Sequence, residues 1–196
     1  MKCRRIAAFV LLGSILGGAY AAAQPDPSSG SLPAAATAEK IEVILNDAAV
    51  QEGGVMFEGR AYLSVRQLSE ALLAFVTWDE ANKKVVIEKP NVDLMLFKDN
   101  TTFGKVETGK TSFTVLAQVD SLKTTVDKIK LTITDPKGNA TQIQEEAVKT
   151  NEDNFWFKSP EFKYDFKTKG DYTISCYLRQ KNGDFTLMSQ KTVTAI

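Results

Sequence analysis

The chain of 196 residues contains no histidine. That removes the side chain most often used as a general base near neutral pH and the commonest transition-metal ligand. Ser-His-Asp and Cys-His nucleophilic centres are excluded with it. Cysteine is scarce, with Cys3 and Cys176 alone. Net charge is missing too: 24 Lys and Arg balance 24 Asp and Glu, so no global basic field draws nucleic acid. What is present is a 43% hydrophobic and 24% charged composition, enough apolar material for one large or two small folded domains.

The N-terminus departs from this balance. Lys2, Arg4 and Arg5 precede an apolar run from Ile6 to Leu16, followed by small residues from Gly17 to Ala23. A charged start, a short apolar stretch and an Ala-x-Ala exit describe a secretory signal peptide over residues 1–23, cleaved after Ala23 or, alternatively, after Ala21. The apolar run falls short of the roughly 20 residues a membrane span needs, so the mature chain is expected to carry no transmembrane span. Removing Lys2, Arg4 and Arg5 leaves 21 basic against 24 acidic residues and one cysteine, Cys176, which cannot form an internal disulfide. Residues 24–39 are rich in Pro, Ser, Gly and Ala and read as a flexible linker, because they offer too little apolar surface to offset ordering entropy.

Residues 40–89 read as a small α+β module. Ile41, Val43 and Leu45 alternate as a half-buried strand does, and Asn46-Asp47 signals a turn. Further strands are expected at Val55 to Phe57, Arg60 to Leu63, Phe75 to Trp78 and Lys84 to Glu88. Between them, Ser64 and Gln67 have capping-box spacing, and Val65, Leu68, Leu72 and Phe75 recur at helical intervals. Residues 91–196 read as entirely β. Phe113, Val115, Ala117 and Val119 alternate, as do Ile129, Leu131 and Ile133, then Phe162, Tyr164 and Phe166, then Tyr172, Ile174, Cys176 and Leu178. Asp135 to Asn139, Lys169 to Asp171 and Lys181 to Asp184 supply turns. About seven short strands at this spacing predict an antiparallel β-sandwich.

Residues 41–88 resemble the stalk domain related to the N-terminal domain of copper amine oxidases. The resemblance is carried by Ile41-Glu42-Val43 with Asn46, by the run Gly59-Arg60-Ala61-Tyr62-Leu63-Ser64-Val65-Arg66, by Leu68 to Leu72, by Trp78-Asp79 and by Val85 to Ile87. Ser64 stands where that family commonly has proline, and Leu73 where glycine often follows the helix. The resemblance implies a small antiparallel sheet wrapped on one helix, in an accessory module that recurs in exported proteins of spore-forming Gram-positive bacteria. It carries over no catalytic residue, and copper chemistry in those enzymes belongs to histidines of a separate domain. Lys169-Gly170-Asp171-Tyr172-Thr173-Ile174 resembles the run that opens a late strand of immunoglobulin-like sandwiches, where the tyrosine hydroxyl caps the corner. The expected fold class is thus mainly β: an N-terminal antiparallel sheet wrapped on one helix, then an immunoglobulin-like antiparallel β-sandwich over 91–196.

The remaining candidates for chemistry are few. Cys176 shares a strand face with Tyr172 and Ile174 and reads as core rather than as a reactive thiol. The carboxylate neighbours Glu145-Glu146, Asp79-Glu80 and Glu152-Asp153 read as solvated charges. A carboxylate-only hydrolase would need two acids facing one cleft. Calcium is open from the oxygen donors, although no Asp-x-Asp-x-Asp-Gly loop is present. Arg60 and Arg66 have two readings: ion pairs with Asp79 or Glu70, their stems over Tyr62 and Trp78, or contacts to an anion or glycan. Phe155-Trp156-Phe157 also has two: a core tryptophan beside a loop, or two inward phenylalanines with Trp156 outward as a platform for a sugar ring or a partner. The expectation is a non-enzymatic secreted or cell-wall-associated protein. It has no catalytic, metal or cofactor site, and it binds a cell-wall polymer or another envelope protein rather than nucleic acid. A carbohydrate-binding accessory role in cell-wall turnover is the alternative.

Overall fold

Period-two apolar alternation sets most of the chain into strands. The computed structural model describes residues 38–45, 47–50, 53–149, 152–181 and 183–196. The signal peptide expected at 1–23, the expected linker as far as residue 37, and Asn46 and Asn182 of two expected turns lie outside the described residues.

The N-terminal part is built from short pieces. β1 (Glu39–Ile41), β4 (Gly54–Phe57) and β5 (Arg60–Leu63) form a three-stranded antiparallel sheet. β2 (Ile44–Leu45) and β3 (Ala48–Ala49) form one two-stranded sheet, and β6 (Phe75–Asp79) and β7 (Lys84–Glu88) another. The single strand expected across Ile41, Val43 and Leu45 is therefore broken after Ile41, because its two halves pair with different partners, β4 and β3. Gly53 makes the close approach possible: at φ +60 a β-carbon there would run into the Ile41 carbonyl oxygen.

Helix α1 (Val65–Ala71) follows β5, with Ser64 as its N-cap residue. The Ser64 half of the expected capping box does not form, since Ser64 makes no side-chain cap hydrogen bond. Ser64 is exposed, and water can satisfy the first-turn N–H groups in its place. The helix is also shorter than its apolar spacing suggests. Leu72 caps it, Leu73 turns left-handed at φ +56, and Phe75 already belongs to β6. The Leu73 N–H donates to Glu70 O at 3.1 Å and the Ala74 N–H to Ser69 O at 2.9 Å, the bond pair of a Schellman cap. A β-carbon in that conformation is unfavourable, and glycine is the residue that relieves it. Leu73→Gly is therefore expected to stabilise the chain by about 1 kcal/mol. A rise in the urea midpoint with unchanged slope checks it, and a fall would show that the Leu73 side chain outweighs the strain.

Beyond Pro90 the strands lengthen. In order they are β8 (Asn91–Lys98), β9 (Thr101–Thr102), β10 (Lys105–Val106), β11 (Gly109–Asp120), β12 (Val126–Thr134), β13 (Ala140–Ala147), β14 (Phe155–Lys158), β15 (Phe162–Phe166), β16 (Gly170–Gln180) and β17 (Phe185–Ala195). One sheet runs β10-β17-β16-β12-β13. The other runs β14-β11-β8-β9, with β15 also on β11. Val92, Leu94 and Leu96 of β8 and Val115, Ala117 and Val119 of β11 point inward. They share one buried cluster with Ile129, Leu131 and Ile133 of β12 and Tyr172, Ile174, Cys176 and Leu178 of β16. This is the two-sheet sandwich the alternation predicts, with one departure. β10 pairs with β17 in parallel, by way of Lys105 opposite Thr194 and Val106 opposite Ala195.

β14 and β15 are successive stretches along one edge of β11, separated by Ser159 to Glu161. Buried Ser159 fastens the break: its hydroxyl accepts from the Val115 N–H at 3.0 Å, and its own N–H donates to Val115 O at 2.8 Å. At the start of β16 the Tyr172 hydroxyl donates to Thr168 O at 3.0 Å and accepts from the Thr168 N–H at 3.2 Å. That is the corner-capping geometry expected of Tyr172. Phe75 of β6 joins the same core cluster as the sandwich residues, and the described residues from 38 to 196 fall in one compact unit.

Candidate binding face

The edge strand β14 carries the aromatic triplet. Phe155 and Phe157 turn inward and pack on the sandwich core, while Trp156 points out and is 67% exposed. The core-tryptophan reading is thereby overturned: the strand's period of two places the two phenylalanines in the interior, and that obliges the residue between them to face solvent.

The register with neighbouring strands decides what surrounds the indole. Trp156 lies opposite Gln118 of β11, and Gln118 opposite Asp93 of β8. The next row is Lys158, Leu116 and Met95. At the usual strand spacing, Trp156 and Asp93 stand about 10 Å apart across three strands. Gln118 Nε2 donates to Asp120 Oδ2 at 2.8 Å, which orients its amide on this face. Beside Trp156 a groove of about 280 Å³ opens at the edge of the sandwich. Ile129, Val148, Phe155 and Phe157 line it with apolar surface and Glu146 and Lys149 with charge. The result is one flat aromatic surface, a shallow apolar groove and a row of amide and carboxylate groups.

Arg60 and Arg66 sit elsewhere, on β5 and α1, and both are exposed. Neither expected ion pair forms among the described residues. Asp79 instead accepts from the Asn82 side chain at 2.8 Å, which together with the Asn82 N–H holds its carboxyl below the usual carboxylate range. Glu80 is taken by Lys83 and by the Trp78 indole N–H. At Asp79 the turn partner Asn82, three residues along the chain, is already within reach.

The other adjacent acids are likewise engaged. Glu145 Oε1 accepts from Lys128 Nζ at 2.7 Å, a bond that holds its carboxyl low, and Asp153 pairs with Lys123. Asp127 receives a two-pronged contact from Arg179, at 2.8 Å to Nε and 2.7 Å to the terminal nitrogen, which lowers the Asp127 carboxyl and raises the guanidinium. Among the described residues no group of three or more Cys, Asp or Glu is placed to hold a metal ion, and no helix is long and apolar enough to cross a membrane.

One concavity escaped the sequence reading. The Asp135–Asn139 turn, β15 and the Tyr172 corner enclose a cleft of about 410 Å³, lined by Asp135, Lys137, Tyr164, Asp165 and Lys167 among others. Asp135 is committed to its own turn, accepting from the Lys137 N–H at 2.9 Å and the Asn139 N–H at 2.8 Å. Burial raises the Tyr164 phenol, with Tyr172, Asp135 and Asp165 pushing the same way against a hydrogen bond from Thr141. The only sequence signal was the turn itself, since the lining comes from strand ends far apart along the chain.

These features define a β-rich protein that offers flat faces and shallow grooves, with its adjacent carboxylates engaged in turns and ion pairs. Residues 44–127 match the copper amine oxidase N-terminal domain family, a non-catalytic domain. The match runs past the 41–88 of the resemblance and takes in β8 to β11, which in the structure belong to the sandwich. No curated protein matches the chain.

Proposed function

We propose that this chain is a non-enzymatic, exported binding protein of the cell envelope, whose sandwich holds a cell-wall polysaccharide on the Trp156 face. The N-terminal charge and hydropathy pattern supports export, and the strand order, parallel edge pair and Tyr172 corner support an immunoglobulin-like sandwich. The observation that carries the binding role is the outward Trp156, in register with Gln118 and Asp93 beside an apolar groove. A sugar ring presents an axial C–H face to an aromatic plane and hydroxyls at its rim. An indole with amide and carboxylate groups at strand spacing fits that pattern, and the ordered strands under it leave little entropy to lose on binding. Arg60 and Arg66, exposed and without ion pairs among the described residues, are free to meet the anionic groups of such a polymer.

Sedimentation of the purified protein with insoluble cell-wall polysaccharide tests this. Trp156→Ala is expected to weaken binding at least about tenfold, the usual consequence of truncating an aromatic anchor. Its unfolding free energy should stay within about 0.5 kcal/mol of the parent, because the side chain lies mostly in solvent. Undiminished retention by Trp156→Ala would refute the assignment of the face.

A further inference from the structure

The hairpin β6–β7 leaves an apolar face and a strand edge without a partner. Cross-strand pairing puts Val76 opposite Ile87 and Trp78 opposite Val85, so these four share one face. Trp78 is 51% exposed, Ile87 45% and Val85 42%. On its other side β7 pairs with no described strand. A two-stranded sheet with an apolar face is marginal alone, and an open apolar edge is a template for a further strand.

The sequence of β7 says which strand fits. It reads Lys84-Val85-Val86-Ile87-Glu88, with opposite charges at its ends and aliphatic residues between. Set antiparallel to a second copy of itself about Val86, it places Lys84 against Glu88 in both directions, Val85 against Ile87, and Val86 against Val86. Every pairing keeps its side chains on a common face, so the two exposed apolar faces become continuous. A slip of one residue would send Val85 and Ile87 to the opposite side from their partners, so the pattern specifies the register. Lys83 does not oppose it: φ +51 takes Lys83 out of the strand and into the turn, where Glu80 pairs with it.

We propose that two copies of this chain associate through β7, edge to edge and antiparallel, into a four-stranded β6-β7-β7-β6 sheet with two-fold symmetry. The interface is isologous, each copy supplying the same strand, and the main-chain ladder provides affinity while the end charges set direction.

Sedimentation velocity of the intact chain over a range of concentrations tests the proposal. The parent is expected to show a concentration-dependent monomer–dimer equilibrium. Lys84→Glu and Glu88→Lys, each placing like charges at both ends of the pairing, should each raise the dimer dissociation constant about tenfold. The double variant, with the charges exchanged, should return to within about threefold of the parent. Separately, Val86→Cys in a Cys3→Ser background, treated with diamide as the two-electron oxidant, should form a covalent dimer, because directly opposed residues lie about 4.5–5.5 Å apart, within disulfide reach. A parent that stays monomeric, a double variant no better than the singles, or a Val86→Cys chain that does not cross-link would overturn the proposal. None of these outcomes bears on polysaccharide binding by monomeric chain.

Discussion

Phe166→Ala is expected to lower the unfolding free energy by about 3–5 kcal/mol, the range for emptying a fully buried aromatic position. Phe166 ends β15 with no exposed surface and lies at the centre of an aromatic cluster. Its ring centroid is 4.9 Å from Tyr172, 5.1 Å from Tyr164 and 6.2 Å from Phe113. These neighbours come from three strands, so their backbones cannot close together over the void. The edge-to-face contacts with Tyr172 and Tyr164 are lost besides the buried area. Urea unfolding followed by far-ultraviolet circular dichroism measures the change, and the melting point should fall by roughly 10 °C. A loss below about 1 kcal/mol would mean that the cluster repacks and is not the rigid centre described here.

The second large effect concerns Cys176. The thiol is fully enclosed, and burial alone pushes it up to about 12 from an ordinary value of 9.0. At pH 8 the folded chain should therefore hold about a thousandfold less thiolate than the unfolded chain, before any steric exclusion of reagent. In a Cys3→Ser background, alkylation by iodoacetamide should be undetectable in the native protein and rapid in urea. Stability follows with a definite sign. Below pH 9 the thiol is neutral in both states and adds no slope. Between pH 9 and about 12 only the unfolded state releases its proton, so rising pH favours unfolding by about 1 kcal/mol per unit. The raised Tyr164 phenol adds a loss of the same sign at alkaline pH. Cys176→Ala should be less stable at neutral pH and lose less on going alkaline. Equal slopes in the two proteins would show that the thiol ionises within the fold.

The sandwich was largely legible in advance because its central strands obey a local rule. Apolar residues alternate from Phe113 to Val119 in β11, from Ile129 to Ile133 in β12 and from Tyr172 to Leu178 in β16, and each of those residues is buried. Of the strands that went unread, β8 obeys the same rule, with Val92, Leu94 and Leu96 buried, and the others do not. β13, Ala140–Ala147, has one large aliphatic residue, Ile143. It lies at a sheet edge, where one side of the strand meets solvent and apolar alternation is not required. The parallel pairing of β10 with β17 joins residues about ninety positions apart, a separation no local pattern encodes. Phe75 fits both the helical spacing and the strand expected from Phe75 to Trp78, and the core shared with the sandwich claims its side chain for the strand, β6. The binding face divides the same way. Trp156 facing outward follows from its two phenylalanine neighbours, whereas Gln118 and Asp93 become its companions only through register.

The amino-acid sequence alone determined the chemistry excluded, through the absence of histidine, and the inward faces of the long strands, through alternation. Both are properties of residue identity and of neighbours along the chain. The tertiary structure decided which strands share an edge, which acids find cations, and which apolar residues of the N-terminal part stay uncovered. Those outcomes depend on pairing and packing between distant segments, where the interaction energy belongs to the contact and to neither segment by itself.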